Sequence, residues 1–258
     1  MGRFTQIGNV KICAMADQSG NDYLDSVITS LPGKIEICRH PIAASFNWVI
    51  GELNDDGAYS SFGQEKFFRL MYLKWVLLKE ALLEKHTSTF VVFTDLDVVW
   101  RSNPISPFFR EPDENKVLAI QKDFSGSGRR FYCPGIMFWK RTQIGIEVLE
   151  KVSKYHLTQL EFDSLLPDDK AINQWLSMEE NSKHLIELDE RSYIIGHRLL
   201  QLMAGSAGYK LERFTAFHAN YVKGLPKKVR NMKFASIPEK SFFKRVRAII
   251  ELAMEKMG

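Results

Sequence analysis

The chain has 258 residues, 45% of them hydrophobic and 26% charged, and a net charge of +4. That is ample apolar material for one large core, in one domain or two, and three scattered cysteines (Cys13, Cys38, Cys133) without a CxxC pair exclude a zinc knuckle or a disulfide framework. No apolar stretch approaches the roughly 18 residues of a membrane span, and no apolar run precedes Val10, so a soluble, cytoplasmic protein without a signal peptide is expected.

In chain order, Val10 to Met15 predicts a first strand, followed by a polar loop from Asp17 to Asp22 and a short helix from Tyr23 to Leu31 that Pro32-Gly33 stops. Lys34 to Cys38 predicts a second strand, and this order opens a parallel α/β sheet. Gln64 to Lys85 contains neither Gly nor Pro and is apolar around much of its circumference, which predicts a buried helix feeding the strand Phe90 to Thr94. Asn103-Pro104 and Ser106-Pro107 break the chain. Val117 to Ile120 predicts a further strand, Ser125 to Gly128 a flexible loop, and Cys133-Pro134-Gly135 a turn into a strand reaching Trp139. Gln143 to Leu160 and Asp168 to Leu176 predict helices, the second with an acidic first turn, and Leu185 to Leu188 a late strand. Lys240 to Met257 spaces Phe243, Val246, Ile249, Ile250, Ala253 and Met254 as an amphipathic helix. Lys223 to Arg247 holds nine Lys or Arg against the single acid Glu239, leaving the rest of the chain at about −4. The expected organisation is therefore one α/β domain over residues 1–235 and a basic amphipathic helix over 236–258.

The sharpest chemical signal is Asp95-Leu96-Asp97, which ends an apolar, largely β-branched and aromatic run. An unpaired buried carboxylate costs several kcal/mol, so two of them beside a core strand imply a cation or a proton. In extended backbone Asp95 and Asp97 project from one face and Leu96 from the other, which suits Mg2+ or Mn2+ with positions left for phosphate oxygens. A helix cap or a turn is the plainer alternative. His218 is read in a C-terminal loop followed by Lys223, Gly224 and Lys227, where imidazole suits Mn2+, Gly allows close backbone approach and Lys suits a diphosphate. On its own such a histidine is more often structural than a ligand. Asp168 and Asp169 fall in a first helical turn, where capping and the helix dipole account for them, and Lys74 can snorkel out of its apolar helix. Neither HExxH nor GxSxG occurs, so a zincin or an α/β-hydrolase has no support.

Taken in order, these segments resemble the GT-A superfamily of nucleotide-diphospho-sugar glycosyltransferases, in particular its DxD-bearing families of α-galactosyl and α-xylosyl transferase type. The resemblance runs from about Val10 to Lys233 and is most specific over Phe90 to Pro104, which looks like the strand, DxD, aromatic and Asn-Pro turn of those families. It implies a single Rossmann-like domain with a mixed, mostly parallel central sheet flanked by helices. It also implies transfer of a sugar from a UDP- or GDP-sugar to an acceptor hydroxyl, with retention of configuration. The metal, Mn2+ or Mg2+, would be held by Asp95, Asp97 and His218. Donor contacts would come from Ala14, Asp17 and Tyr23 for nucleobase and ribose, and from Lys74, Asp95, Leu96, Gly135, Asn173, Gly224 and Lys227 for diphosphate and sugar. Cys133-Pro134-Gly135 stands where the family has a small residue and Gly facing the sugar. Asp169-Lys170-Ala171-Ile172-Asn173 resembles its Asp-Gln-x-x-x-Asn element, with Lys in place of Gln, and Asp168 and Asp169 are the catalytic candidates.

The partners so implied are a nucleotide-sugar donor and a glycan, glycoprotein or glycolipid acceptor. Nucleic acid is not among them, because the apolar residues interleaved in the basic segment suit an interface, and residues 240–257 suit peripheral contact with a membrane face. Two rival readings stand beside this one. Asp95-Leu96-Asp97-Val98-Val99 meets the Asp-x-Asp-x-Thr/Val motif of haloacid-dehalogenase-like phosphatases, in which Asp95 would be the nucleophile, although that motif usually follows a first strand. The other reading is a non-enzymatic membrane-surface module that uses the basic tail.

Overall fold

The computed structural model describes residues 10–16, 37–41, 65–84, 89–95, 97–102, 104, 106–108, 111–123, 131–198, 214–220, 231–232 and 235. The strands are β1 (Val10–Ala16), β2 (Ile37–Pro41), β3 (Phe90–Thr94), β4 (Val98–Trp100), β5 (Leu118–Asp123), β6 (Phe131–Lys140), β7 (Leu185–Leu188), β8 (Tyr193–Ile195) and β9 (Ala216–His218). The helices are α1 (Glu65–Leu83), α2 (Gln143–Phe162) and α3 (Asp168–Ser177). The expected helix at 23–31, the loop at 125–128 and the tail helix over 236–258 lie outside the described residues.

Six strands form one sheet in the order β2-β1-β3-β6-β5-β7. Only β6 runs against its neighbours; β1–β2, β1–β3 and β5–β7 are parallel. The sheet is thus mixed and mostly parallel, as the sequence implied. All five residues of β3 are buried, because both faces of the sheet are covered. Val91, Phe93, Met137 and Trp139 face one cluster with the apolar residues of α1, α2 and α3. Phe90, Val92, Ile136 and Phe138 face the other, which holds Val98, Trp100, Tyr193 and Ala216. Those last four belong to a small second sheet, β4-β9-β8, stacked under the first. Side-chain alternation along β3 and β6 therefore distributes one continuous apolar run between two cores.

Helix α1 is buried along Phe68, Tyr72, Leu73, Trp75, Leu78 and Leu82, as its continuous apolar composition predicts. It packs on α2, where the Tyr72 hydroxyl accepts from Ser153 and Trp75 Nε1 donates to His156 Nδ1 at 2.8 Å. Helix α2 begins at Thr142, whose hydroxyl accepts from the Gly145 N–H at 3.1 Å. Among the described residues no helix is long and apolar enough to cross a membrane.

Three expectations need correction. The second strand runs past the expected limit at Cys38 to Pro41, since it pairs with β1 from Ile12–Ile37 to Ala16–Pro41; residues 34–36 lie outside the described residues. Cys133-Pro134-Gly135 is not a turn but the middle of the ten-residue β6. Met137 pairs with Ile120 and Cys133 with Gln121, so Pro134, Gly135 and Ile136 bulge away from β5. A bulge is where a strand tolerates proline, and it bends β6 towards the end of β3. Finally, His218 is not in a loop; it closes β9, paired with Val98 of β4 and Ile195 of β8.

Candidate active site

The site is built where β3 ends. The Asp95 N–H donates to the Gly135 carbonyl of the β6 bulge at 2.8 Å, which turns the chain out of the sheet. The Thr94 hydroxyl donates to the Asp95 carbonyl at 3.1 Å and accepts from Trp100 Nε1 at 3.3 Å, pinning the turn to β4. On the far side the Ala219 N–H donates to the Asp97 carbonyl at 2.8 Å, so the end of β9 is fastened to the same turn. This ladder explains how His218, remote in sequence, arrives beside the two aspartates.

His218 Nε2 lies 3.1 Å from Asp97 Oδ1 and 3.6 Å from Asp95 Oδ2. One ligand atom from each of Asp95, Asp97 and His218 falls within 4.8 Å of the other two. Two carboxylates and an imidazole are donors that a divalent first-row ion accepts, so the residues present fit a metal. Asp97 and His218 are buried, whereas the Asp95 side chain keeps 32% of its surface exposed. The expectation of two buried carboxylates is therefore half right: the turn carries Asp95 to the rim of the site. The pair also converges through this turn and not through the pleat of an extended strand. Leu96 lies outside the described residues.

Lys74 is the second element. It is 1% exposed on α1, so it does not snorkel; its ammonium forms an ion pair with Asp168, lies 3.7 Å from Asp95 Oδ1 and donates to the Pro134 carbonyl at 3.5 Å. It also sits over the Phe93 ring, 4.8 Å from its centre. Burial alone would lower the Lys74 pKa, but Asp168 and then Asp95 outweigh it and hold the pKa above its ordinary value. Asp95 is pushed up by burial, opposed by Lys74 and His218. Burial likewise disfavours the His218 imidazolium, yet Asp97 and Cys133 raise its pKa well above the ordinary histidine value. A proton therefore occupies His218 readily, and an ion binding there must displace it.

The acidic start of α3 completes the set. Asp168 is drawn inward by Lys74, a role beyond the helix cap that composition alone suggested. Asp169 is pushed up to about 6, first by burial and then by Asp168 beside it. Asn173 uses its carboxamide to hold β6: its oxygen accepts from the Tyr132 N–H at 2.8 Å and its nitrogen donates to the Tyr132 carbonyl at 2.7 Å. That fastens α3 to the strand carrying the bulge.

Gly135 also has a reason visible only in three dimensions. A Cβ built there would stand 2.6 Å from His218 Nδ1 and 2.7 Å from Nε2, so the imidazole lies flat against the bare Cα. Ala14 lies in β1, next to the Cys13 that pairs with Phe93, and so reaches the same sheet edge as the Asp95 turn. Asp17, Tyr23, Gly224 and Lys227 lie outside the described residues. Sequence reading missed Gln121, a buried polar residue in an apolar strand, which touches His218.

Two predictions arise here. Gly135→Ala is expected to displace the His218 ring and weaken divalent-ion binding by at least about tenfold, the usual effect of disturbing a ligand's support; isothermal titration with Mn2+ reads this directly. For Asp169, the folded-state pKa of about 6 exceeds the ordinary carboxylate value of 3.8. The native state therefore holds this proton longer than the unfolded chain, and stability falls as pH rises between those values. Asp169→Asn is expected to stabilise the protein by about 1 kcal/mol at pH 8 and by little near pH 4, read from urea unfolding at both pH values.

Fold and site together define a glycosyltransferase of GT-A architecture that uses a nucleotide-sugar. A model of the nucleotide-diphospho-sugar transferases matches residues 36–232, and the chain belongs to that family. The solved structures it resembles share the fold at low identity. A glycosyltransferase involved in glycosylating the major capsid of PBCV-1 is 9% identical with a TM-score of 0.56, over 88% of this chain and 99% of that one. The galactosyltransferase LgtC, solved with donor and acceptor sugar analogues, is 15% identical with a TM-score of 0.50, over 90% and 98%. GlyE of Streptococcus pneumoniae is 10% identical with a TM-score of 0.52, over 96% and 65%. Among curated protein sequences no significant match is found. Family membership sets aside the phosphatase reading of Asp95 as a nucleophile, and with it the non-enzymatic module.

Proposed function

We propose that this enzyme transfers a sugar from a UDP- or GDP-sugar to an acceptor hydroxyl with retention of configuration, in a reaction that depends on Mn2+ or a similar ion. The observation that carries the reading is the convergence of Asp95, Asp97 and His218 within 4.8 Å at the carboxyl edge of β3. An imidazole in the donor set favours Mn2+ over Mg2+, which prefers oxygen ligands. When bound, the ion supplies Lewis-acid stabilisation of the charge that develops on the diphosphate leaving group. Asp95, Asp97 and His218 hold it. Lys74 holds Asp95 and Asp168 in place from beneath, adding positive charge on the diphosphate side. Ala14, Asp17 and Tyr23 receive nucleobase and ribose, and Leu96, Gly224 and Lys227 the diphosphate and sugar, as the family resemblance implies. Asp168 and Asp169, beside the bulge at Gly135, face the sugar, and Asn173 fixes the helix that bears them.

The test is release of nucleoside diphosphate from a panel of UDP- and GDP-sugars, with Mn2+ and with chelator. Turnover of one donor that chelation abolishes and Mn2+ restores is expected. Turnover indifferent to chelation, or release of inorganic phosphate alone, would overturn the proposal.

A further inference from the structure

Gln121 is fully buried at the β5 position where the register with β6 shifts. A buried carboxamide needs partners for both ends, and here the partners differ in kind. Its Nε2 donates to the Tyr193 carbonyl at 3.2 Å. Exchanging the two ends would set one carbonyl oxygen against another with no proton between them, so the amide orientation is fixed by chemistry. Its Oε1 then faces His218 Nδ1 at 3.1 Å. An amide oxygen only accepts, so Nδ1 must carry the proton. In a neutral imidazole that leaves the lone pair on Nε2, the nitrogen that lies 3.1 Å from Asp97 and 3.6 Å from Asp95.

We infer that Gln121 is a positioning residue that locks His218 in the Nδ1–H tautomer and so aims the Nε2 lone pair at the divalent ion. Asp97 Oδ1 faces Nε2 at 3.1 Å and by itself favours a proton there, so Gln121 sets the tautomer once an ion takes Nε2 as its ligand. The remaining neighbours of the ring favour neither nitrogen. Gly135 is bare Cα beneath it, and Cys133 Sγ, 3.6 Å from Nδ1, belongs to a thiol that can accept from one tautomer or donate to the other. Cys133 Sγ already accepts from Asn220 Nδ2 at 3.5 Å. Gln121 also ties the layers together, since it sits in the large sheet while Tyr193 and His218 belong to the small one. A metal-bound histidine whose second nitrogen donates to a fixed acceptor is held in one plane, and loss of such an acceptor typically weakens metal binding about 10- to 100-fold.

The inference rests on the metal-dependent reading above and is tested by Mn2+ titration calorimetry on the full chain without nucleotide. Gln121→Met keeps the volume and removes the acceptor; Gln121→Glu, held neutral by burial, keeps an acceptor towards Nδ1 and a hydroxyl that donates to the Tyr193 carbonyl. The Met variant is expected to bind Mn2+ about 10- to 100-fold more weakly and the Glu variant close to wild type. Equal Mn2+ affinity in wild type and the Met variant, or equal weakening in both variants, would overturn the inference while leaving the transferase reading intact. A wild-type protein that takes up no Mn2+ overturns both. Nitrogen-15 NMR of the Zn2+-loaded wild type gives a second arm that needs no variant: a proton on His218 Nδ1 is expected, and one on Nε2 would refute the assignment.

Discussion

Asp97→Ala is expected to lower turnover of the nucleotide-sugar at least about a hundredfold, the roughly 3 kcal/mol that a single preorganised electrostatic stabiliser supplies in a dry site. The residue is 7% exposed, its carboxylate is the nearest charged partner of His218, and its carbonyl anchors Ala219 through the main chain. Alanine removes the carboxylate and leaves that main-chain bond in place, so the fold and the position of β9 persist. Asp95→Ala follows the same logic with an added consequence, because it frees Lys74 from one of its two acidic neighbours. The comparison is initial rate of nucleoside diphosphate release at saturating Mn2+, alongside thermal unfolding of each variant. Full activity in the Asp97 variant would contradict the assignment of this residue to the leaving-group side of the reaction.

Lys74→Met is expected to produce the largest loss of stability, about 3–5 kcal/mol, because it deletes one partner of a buried ion pair and strands the other. Lys74 is 1% exposed and Asp168 is 8% exposed, so neither charge has water to fall back on. Methionine nearly matches the volume of the lysine stem, which separates loss of charge from loss of packing. Asp168→Asn in the same chain should recover much of the deficit by neutralising the stranded carboxylate, and the two single variants with the double form a thermodynamic cycle. Urea unfolding of the four proteins measures it. A Lys74→Met protein within about 1 kcal/mol of wild type would mean that the pair is solvated, as exposed pairs of that small worth are.

The parts of this architecture legible in the sequence are those carried by local pattern. Helices α1, α2 and α3 and strands β3 and β7 fall within a few residues of their expected limits, because long periodic runs and flanking breakers define them locally. The DxD at the end of an apolar strand pointed to the sheet edge where Asp95, Asp97 and His218 converge. What could not be read depends on contacts between distant segments. Pro134-Gly135 has the composition of a turn, and only the register of β6 against β3 and β5 makes it a bulge whose bare Cα receives His218. Strands β4, β8 and β9 are three residues each, too short for any period to show, so His218 looked like a loop residue. Lys74 read as a snorkelling side chain because its partner, Asp168, lies two helices further along the chain. Gln121 gave no signal at all: a single amide among Leu118, Ala119 and Ile120 carries no pattern, and its meaning comes from Tyr193 and His218 on the second sheet.

The account reduces to one claim, that Asp95, Asp97 and His218 together hold the ion through which a nucleoside diphosphate is bound. Calorimetric titration of UDP and GDP into the protein, with Mn2+ and with chelator, tests it most directly when run beside His218→Ala. One of the two nucleotides is expected to bind the wild-type protein only when Mn2+ is present, and neither to bind the variant. Nucleotide binding of equal strength with and without the ion, unchanged when His218 is removed, would contradict it.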